Sequence, residues 1–110
     1  MEVYCAVIFS SKRTEAGDGD AKAGADDGYD AMADRMETLA ATQPGYRGIE
    51  SARGGDGFGI TVSYWADEDA ARAWKGNAEH LVAQRLGNER WYGQWTIRVA
   101  TVTREYHSAG

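Results

Sequence analysis

The sequence predicts an α+β domain in which one antiparallel sheet of four strands carries its helices on a single face. Four stretches alternate apolar side chains with a period of two, and two stretches repeat them every three or four residues, in the order β-α-β-β-α-β. For that order the simplest architecture is the ferredoxin-like plan, with both helices on one side of the sheet. A length of 110 residues suits a single domain over 1–110.

The first strand is predicted over residues 2–10. Two apolar sets alternate along it, Val3, Cys5, Val7 and Phe9 against Tyr4, Ala6 and Ile8. Because both faces are apolar, we expect this strand in the centre of the sheet. Residues 11–28 then offer mostly glycine, alanine and charged side chains with little to bury, which predicts a flexible loop or an insertion.

Both predicted helices begin at an aspartate that can cap them. Asp27 precedes an apolar stripe formed by Tyr29, Met32, Ala33, Met36, Leu39 and Ala40, and Pro44-Gly45 ends that helix. Asp67 precedes the second helix, whose apolar side includes Trp74. Glycine is unfavourable inside a helix, so Gly76 is predicted to divide the second helix into two pieces, the later one capped by Asn77.

The remaining strands are predicted over Tyr46–Arg53, Phe58–Trp65 and residues 94–106. A glycine-rich turn over 54–57 joins the first two of them as a hairpin. In the third strand, alternation sets Phe58, Ile60, Val62 and Tyr64 on one face and Thr61, Ser63 and Trp65 on the other. Residues 107–110 are expected to fray.

The sheet face opposite the helices is also predicted to be apolar. Nothing in the predicted domain is left to cover it, because both helices lie on the other side. A second copy of the chain is the expected cover, in a symmetric homodimer with two sheets packed face to face.

Charge and composition limit the other partners. With 17 acidic against 12 basic side chains, the net charge of −5 repels phosphate backbones and anionic lipids, so neither nucleic acid nor a membrane is expected as a partner. Glu2 stands where a secretory signal would carry basic residues, and we therefore expect a cytoplasmic protein. Cys5 is the only cysteine, so no internal disulfide can form, and we expect it as a buried apolar side chain.

Several segments of the second half resemble a known family. The strand ITVSYW, the helix ending in AWK and the segments AEHLVAQRLG and WY are similar to the antibiotic biosynthesis monooxygenase family of dimeric α+β barrels. The resemblance extends from Tyr4 to about Val102 and leaves out residues 12–28. Besides cofactor-independent monooxygenases of aromatic polyketides, that family includes haem-degrading enzymes and small proteins with no assigned substrate.

The resemblance implies a monooxygenase that works without a cofactor or a metal. A phenolic or polycyclic aromatic substrate is deprotonated, and its anion reduces O2 directly in a dry aromatic pocket. The resemblance assigns His80, Trp74 and Gln84 to catalysis, with His80 as the base. It also implies aromatic side chains that clamp a flat ring and arginines that hold an anion, namely Trp65, Tyr64, Trp91, Tyr92, Arg53 and Arg98.

Plainer roles stay open for the same residues. Trp74 lies in an apolar stripe typical of a core, and His80 lies opposite Leu81 and Val82, where a solvent-exposed histidine is usual. A non-catalytic dimer that binds a small apolar molecule would need only the apolar walls. Haem degradation is a third alternative, although the place of the family's ligand histidine is held by Gln84, whose amide is a poor iron ligand.

Overall fold

The computed structural model of the protein describes residues 3–13, 29–86 and 92–109. Side chains are described for residues 3–12, 34–82 and 94–109. The elements follow the chain as β1 (Tyr4–Arg13), α1 (Tyr29–Ala40), β2 (Tyr46–Arg53), β3 (Phe58–Trp65), α2 (Glu68–Leu86) and β4 (Tyr92–Val102). The predicted order β-α-β-β-α-β is therefore confirmed.

The four strands form one antiparallel sheet in the order β2-β3-β1-β4. As predicted, β1 is central, pairing with β3 on one side and with β4 on the other. Helix α2 packs on β1, β3 and β4, while α1 packs on β2. This is the ferredoxin-like plan, with an antiparallel sheet that carries both helices on one face.

Strand alternation determines which side chains meet the helices. Cys5, Val7 and Phe9 of β1 face the helices, and so does Trp65 of β3, which is paired with Cys5. The helices contribute the rest of this core, namely Met36, Ala40, Ala71, Trp74, Ala78, Leu81 and Val82. Cys5 is thus the buried apolar side chain that the sequence predicts.

The predicted break in the second helix is wrong, because α2 runs without interruption from Glu68 to Leu86. A Cβ atom at Gly76 would meet no other atom within 4 Å, so this glycine fills no tight space. Glycine costs an exposed helix roughly 1 kcal/mol relative to alanine, which tertiary packing of a long helix readily offsets. The predicted cap is confirmed, since the Ala70 N–H donates to the Asp67 carboxylate at 2.8 Å.

Two strand boundaries also differ from the prediction. Strand β1 continues to Arg13, so the first three residues of the predicted loop pair with β3 and β4 instead. Strand β4 begins at Tyr92 and ends at Val102, earlier at both ends than expected. The rest of the predicted loop, 14–28, and the cap Asp27 lie outside the described residues.

The sheet face turned away from the helices, which we call the open face, is largely apolar. Phe58 and Ile60 are 42% and 37% exposed on it, and Ile8, Val62 and Tyr64 are half-buried. The open face is the large apolar area that the sequence predicts opposite the helices.

Within the described ranges, no helix is long and apolar enough to cross a membrane.

Candidate functional site

The helix side of the sheet holds a layer of stacked aromatic rings. Trp65 and Trp74 are 0% and 3% exposed, and their rings stack with centroids 5.6 Å apart and an interplanar angle of 23°. The ring of Tyr46 meets Trp65 edge-on at 5.8 Å. Since the two indoles contact each other, no flat ring fits between them, and this layer forms the inner wall of any helix-side site.

Hydrogen bonds fix the orientation of Trp65. Its Nε1–H donates to Ser63 Oγ at 2.9 Å, and Ser63 in turn donates to the Val7 carbonyl oxygen at 3.5 Å. Ser63 is itself buried. A buried indole N–H needs such an acceptor, so Ser63 holds the wall rigid.

The helix-facing side of β4 is only partly covered by α2. Trp95 and Val99 point to this side, as their pairing with Ser11 and Val7 shows, yet they are 36% and 40% exposed. Trp95 lies against Phe9 with ring centroids 6.3 Å apart. Along this side a groove of about 530 Å³ separates α2 from β4, lined by Cys5, Glu68, Arg72, Lys75, Gly76, Val99 and Thr101.

We call the helix-facing residues Trp95, Ile97, Val99 and Thr101 the β4 strip. Its floor is apolar, and its basic neighbours are already paired. Arg72 binds Glu68 at 2.7 Å, and Lys75 binds Glu79 at 3.2 Å. Of the strip residues, Val99 and Thr101 line the groove, together with the charged residues Glu68, Arg72 and Lys75. The strip residues Trp95, Ile97 and Val99 form an apolar surface on the helix side.

The structure does not bring all of the predicted site residues together. Trp65 and Trp74 face the helix side, whereas Tyr64 and Arg98 lie on the open face, opposite Ala6 and Ile8 of β1. Tyr64 therefore cannot share a wall with Trp65 within one protomer. Arg53 is exposed at the end of β2, opposite Gly59.

The predicted base, His80, is exposed on α2, although Leu81 and Val82 beside it are buried. This is the placement that its position opposite those two residues indicates. Trp91 and the side chains of Gln84 and Tyr92 lie outside the described residues. The catalytic and binding roles of all these residues stay predictions.

The open face carries a polar cluster at one end, where residues 103–109 follow β4. The Tyr4 hydroxyl donates to Glu105, His107 pairs with Glu105 at 2.6 Å, and Arg47 lies 5.9 Å from the centroid of the Tyr4 ring. The hydrogen bond from Tyr4 and the pairing with His107 lower the pKa of Glu105. These contacts hold the tail against the sheet.

Tyr64 belongs to the same cluster. It donates to Glu50 at 2.8 Å and meets the Tyr4 ring edge-on at 6.1 Å. Burial and the hydrogen bond to Glu50 raise the pKa of Tyr64 to about 12. Tyr64 is therefore a neutral hydrogen-bond donor at cellular pH and not a base.

Metal ligation has no candidate in the part of the chain that the structure describes, where no three His, Cys, Asp or Glu side chains come together. Ser11 and Trp95 are not among the residues that the sequence predicts for the site, yet both face the helix side of the sheet. The sequence predicts a loop at Ser11, whereas Ser11 continues the alternation of Val7 and Phe9. That continued period of two was the signal available for it.

Comparison with known families decides the relationship. The family model described as antibiotic biosynthesis monooxygenase matches residues 20–86, more than half of the chain. The chain belongs to this family. The resemblance stated from the sequence is thereby confirmed. Among individual proteins, YqjZ of Bacillus subtilis, described as uncharacterised, is 46% identical over 102 residues, which cover 93% of this chain and 82% of YqjZ.

Solved structures of similar fold differ in what they do. The family member described here matches NE2512 of Nitrosomonas europaea, of unknown function, with a TM-score of 0.68, 16% identity and 98% and 97% of the two chains covered. It matches SnoaB of Streptomyces nogalater, a cofactor-independent oxygenase, with a TM-score of 0.61, 16% identity and full coverage of both chains. MhuD of Mycobacterium tuberculosis, a haem degrader, gives 0.56 at 20% identity, with 93% and 99% covered. At these identities the likeness establishes the ferredoxin-like α+β fold alone.

Proposed function

We propose that this protein is a cofactor-independent monooxygenase that oxidises a phenolic or polycyclic aromatic molecule with O2. The observation that carries the proposal is the β4 strip, an apolar surface on the helix side that begins at the half-open indole of Trp95. An aromatic ring stacks well on such an indole, and an apolar floor excludes water from its other edge. Membership of a monooxygenase family supports the same reaction class.

The chemistry requires little from the protein beyond binding and proton transfer. In an anthrone, a base removes a proton from the methylene carbon, and the resulting anion gives its electrons to O2. A carbon–oxygen bond forms, the hydroperoxide loses water, and the methylene becomes a carbonyl. One O2 is consumed and one water is released per substrate, so no external reductant is needed.

Side-chain roles follow from the same proposal. His80 is the candidate base, since histidine is the side chain that most often takes up a proton in catalysis near neutral pH. Because His80 is exposed in the protomer, it can act only if the bound ligand or a second copy covers it. Gln84 and Arg53 are the proposed donors to the anion, and Trp74 is proposed to act from the inner wall.

A homodimer through the open face belongs to the proposal. Phe58 and Ile60 leave an apolar surface there that a second copy would cover. Arg98 and Tyr64 lie on that face, so they would reach ligand only if the interface forms part of a site. The proposed location of the protein is the cytoplasm, supported by the lone unpaired cysteine.

A second candidate is a non-catalytic module that binds a small apolar molecule. The exposure of His80 favours it, because the described part of the helix-side groove then lacks a histidine. The fold likeness to MhuD keeps haem as one possible ligand of such a module.

Oxygen uptake by the purified protein tests the proposal. With an anthrone, a chelator and no added cofactor, we expect one O2 per substrate at a rate well above that of heat-denatured protein. Trp95→Ala should lower that rate about fivefold, since a stacked ring is worth about 1 kcal/mol, while the exposed Tyr106→Ala serves as the matched aromatic control. Uptake no faster than the denatured control contradicts the proposal, and a haemin-dependent Soret band without uptake supports the binding module.

A further inference from the structure

Ser11 carries a buried hydroxyl that the fold leaves unpaired. The residue is 2% exposed, and its Oγ has no hydrogen-bond partner within the described ranges of the chain. Buried side-chain oxygens nearly always have a partner, because losing the hydrogen bonds to water without replacement is unfavourable. Such an exception calls for a reason in binding or function.

The position of Ser11 links it to the β4 strip. It lies on the helix side of β1, directly between Gly59 of β3 and Trp95 of β4. Gly59 has no side chain, so one flank of the Ser11 side chain is free of a cross-strand neighbour. On the other flank stands Trp95, whose indole leans along the sheet toward Phe9.

Ser63 shows how the same sheet treats a structural hydroxyl. It also faces the helix side and is equally buried, but it both accepts from Trp65 Nε1 and donates to the Val7 carbonyl. The fold therefore satisfies a buried serine where that serine supports the wall. Ser11, beside Trp95, makes no such hydrogen bond among the described residues.

We propose that Ser11 is the binding residue that recognises the oxygen of an aromatic ligand stacked on Trp95. This inference rests on the proposed function, since it assumes that the β4 strip is the ligand site. A serine hydroxyl donates to a carbonyl or phenolate oxygen and accepts from a phenol, so it suits an oxygenated ring in either protonation state. A ring without that oxygen leaves the hydroxyl unpaired and binds less tightly, which makes Ser11 a specificity-determining residue.

The test compares two rings that differ by one hydroxyl, 2-naphthol and naphthalene. Their dissociation constants are measured by NMR titration of the full chain and of its Ser11→Ala and Ser63→Ala variants. We expect Ser11→Ala to bind 2-naphthol about five- to tenfold more weakly and naphthalene as tightly as the natural chain does. Because it removes an unpaired buried hydroxyl, Ser11→Ala should also raise the melting temperature by about 4 °C.

Ser63 is a structural serine, so Ser63→Ala should lower the melting temperature. The same variant should keep the preference of the protein for 2-naphthol over naphthalene. Equal affinity of Ser11→Ala and the natural chain for 2-naphthol overturns the inference. An equal loss of affinity for 2-naphthol and for naphthalene also overturns the inference. The absence of any binding of 2-naphthol to the natural chain overturns it as well. If 2-naphthol binds through Ser11 but an anthrone drives no oxygen uptake, the inference stands and the monooxygenase proposal fails.

Discussion

At the scale of single residues, the tryptophans of the helix side divide into two kinds. Trp65 and Trp74 are buried and stacked on each other, so the burial of their apolar surface stabilises the fold. Trp95 keeps about a third of its surface open and lies against Phe9 with ring centroids 6.3 Å apart. Trp65 and Trp74 thus form a buried wall, whereas Trp95 is the residue on which the proposed ligand would stack.

This division predicts opposite effects of two alanine variants. Trp74→Ala should lower the free energy of unfolding by about 3–5 kcal/mol, because it leaves a large cavity beside Trp65. Trp95→Ala should cost about 1 kcal/mol and should weaken binding of an aromatic ligand instead. Urea denaturation and ligand titration of both variants check this, and a Trp95→Ala variant as unstable as Trp74→Ala would show that Trp95 is core.

The pKa of Tyr64 gives a second prediction at this scale. Burial and the hydrogen bond to Glu50 raise it from the ordinary 10.0 to about 12. Because the folded pKa lies above the unfolded one, the stabilising contribution is complete below pH 10 and is lost as the pH rises through 12. Absorbance titration at alkaline pH should show a late-titrating tyrosine that is absent from the Tyr64→Phe variant. A Tyr64→Phe variant that instead loses a tyrosine of ordinary pKa would contradict this prediction.

The sequence predicts which face of the sheet a side chain occupies, but not which side chains of a helix it contacts. Alternation placed Tyr64 and Trp65 on opposite faces, as observed, since neighbouring side chains in a strand point apart. What it could not supply was the contact between Trp65 and Trp74, which depends on how α2 sits on the sheet. Because these two indoles stack on each other, no flat ring fits between them.

At the scale of elements, α2 and β1 both continue further than their local composition indicates. Gly76 lies inside α2, and Ser11 lies inside β1, because tertiary contacts outweigh local preference. For β1 the decisive partners are Gly59 and Trp95, which are distant in sequence. A single sequence contains no direct record of such pairing.

Gly76, inside α2, and Gly45, in the turn before β2, should respond oppositely to alanine. Gly76→Ala should stabilise the protein by about 0.5–1 kcal/mol, since the helix gains propensity and the added Cβ meets nothing within 4 Å. Gly45→Ala should destabilise it by about 2 kcal/mol or more, because φ is +84° there and the new Cβ would lie 2.6 Å from Ala70 Cβ. Thermal melts of both variants decide, and a stabilised Gly45→Ala would refute the close packing of that turn on α2.

At the scale of the whole molecule, the order of elements was enough to predict the sheet with helices on one side. Few topologies accommodate β-α-β-β-α-β, and the two apolar faces of the strands required cover on both sides. The groove beside β4 could not be predicted in the same way. Its existence depends on the lateral position of α2, which leaves Trp95 and Val99 exposed on the helix side of the sheet.

A charge introduced on the open face should have a different effect from a charge introduced on the helix side. Ile60 and Val99 are 37% and 40% exposed, on the open face and the helix side respectively. Ile60→Asp should weaken self-association about tenfold or more, because it places a charge in the proposed dimer interface. Val99→Asp should leave the oligomeric state unchanged and weaken ligand binding. Analytical ultracentrifugation distinguishes the two, and a dimer unaffected by Ile60→Asp would place the interface elsewhere.

The central claim is that an aromatic ligand binds on the helix side of the sheet, along the β4 strip, while the open face meets a second copy. Intermolecular nuclear Overhauser effects between bound 2-naphthol and the protein test this most directly. We expect contacts from the ligand ring to the Trp95 indole protons and to the Ser11 β-protons. Contacts to Tyr64 and Ile60 of the open face, with none to Trp95, would contradict the claim.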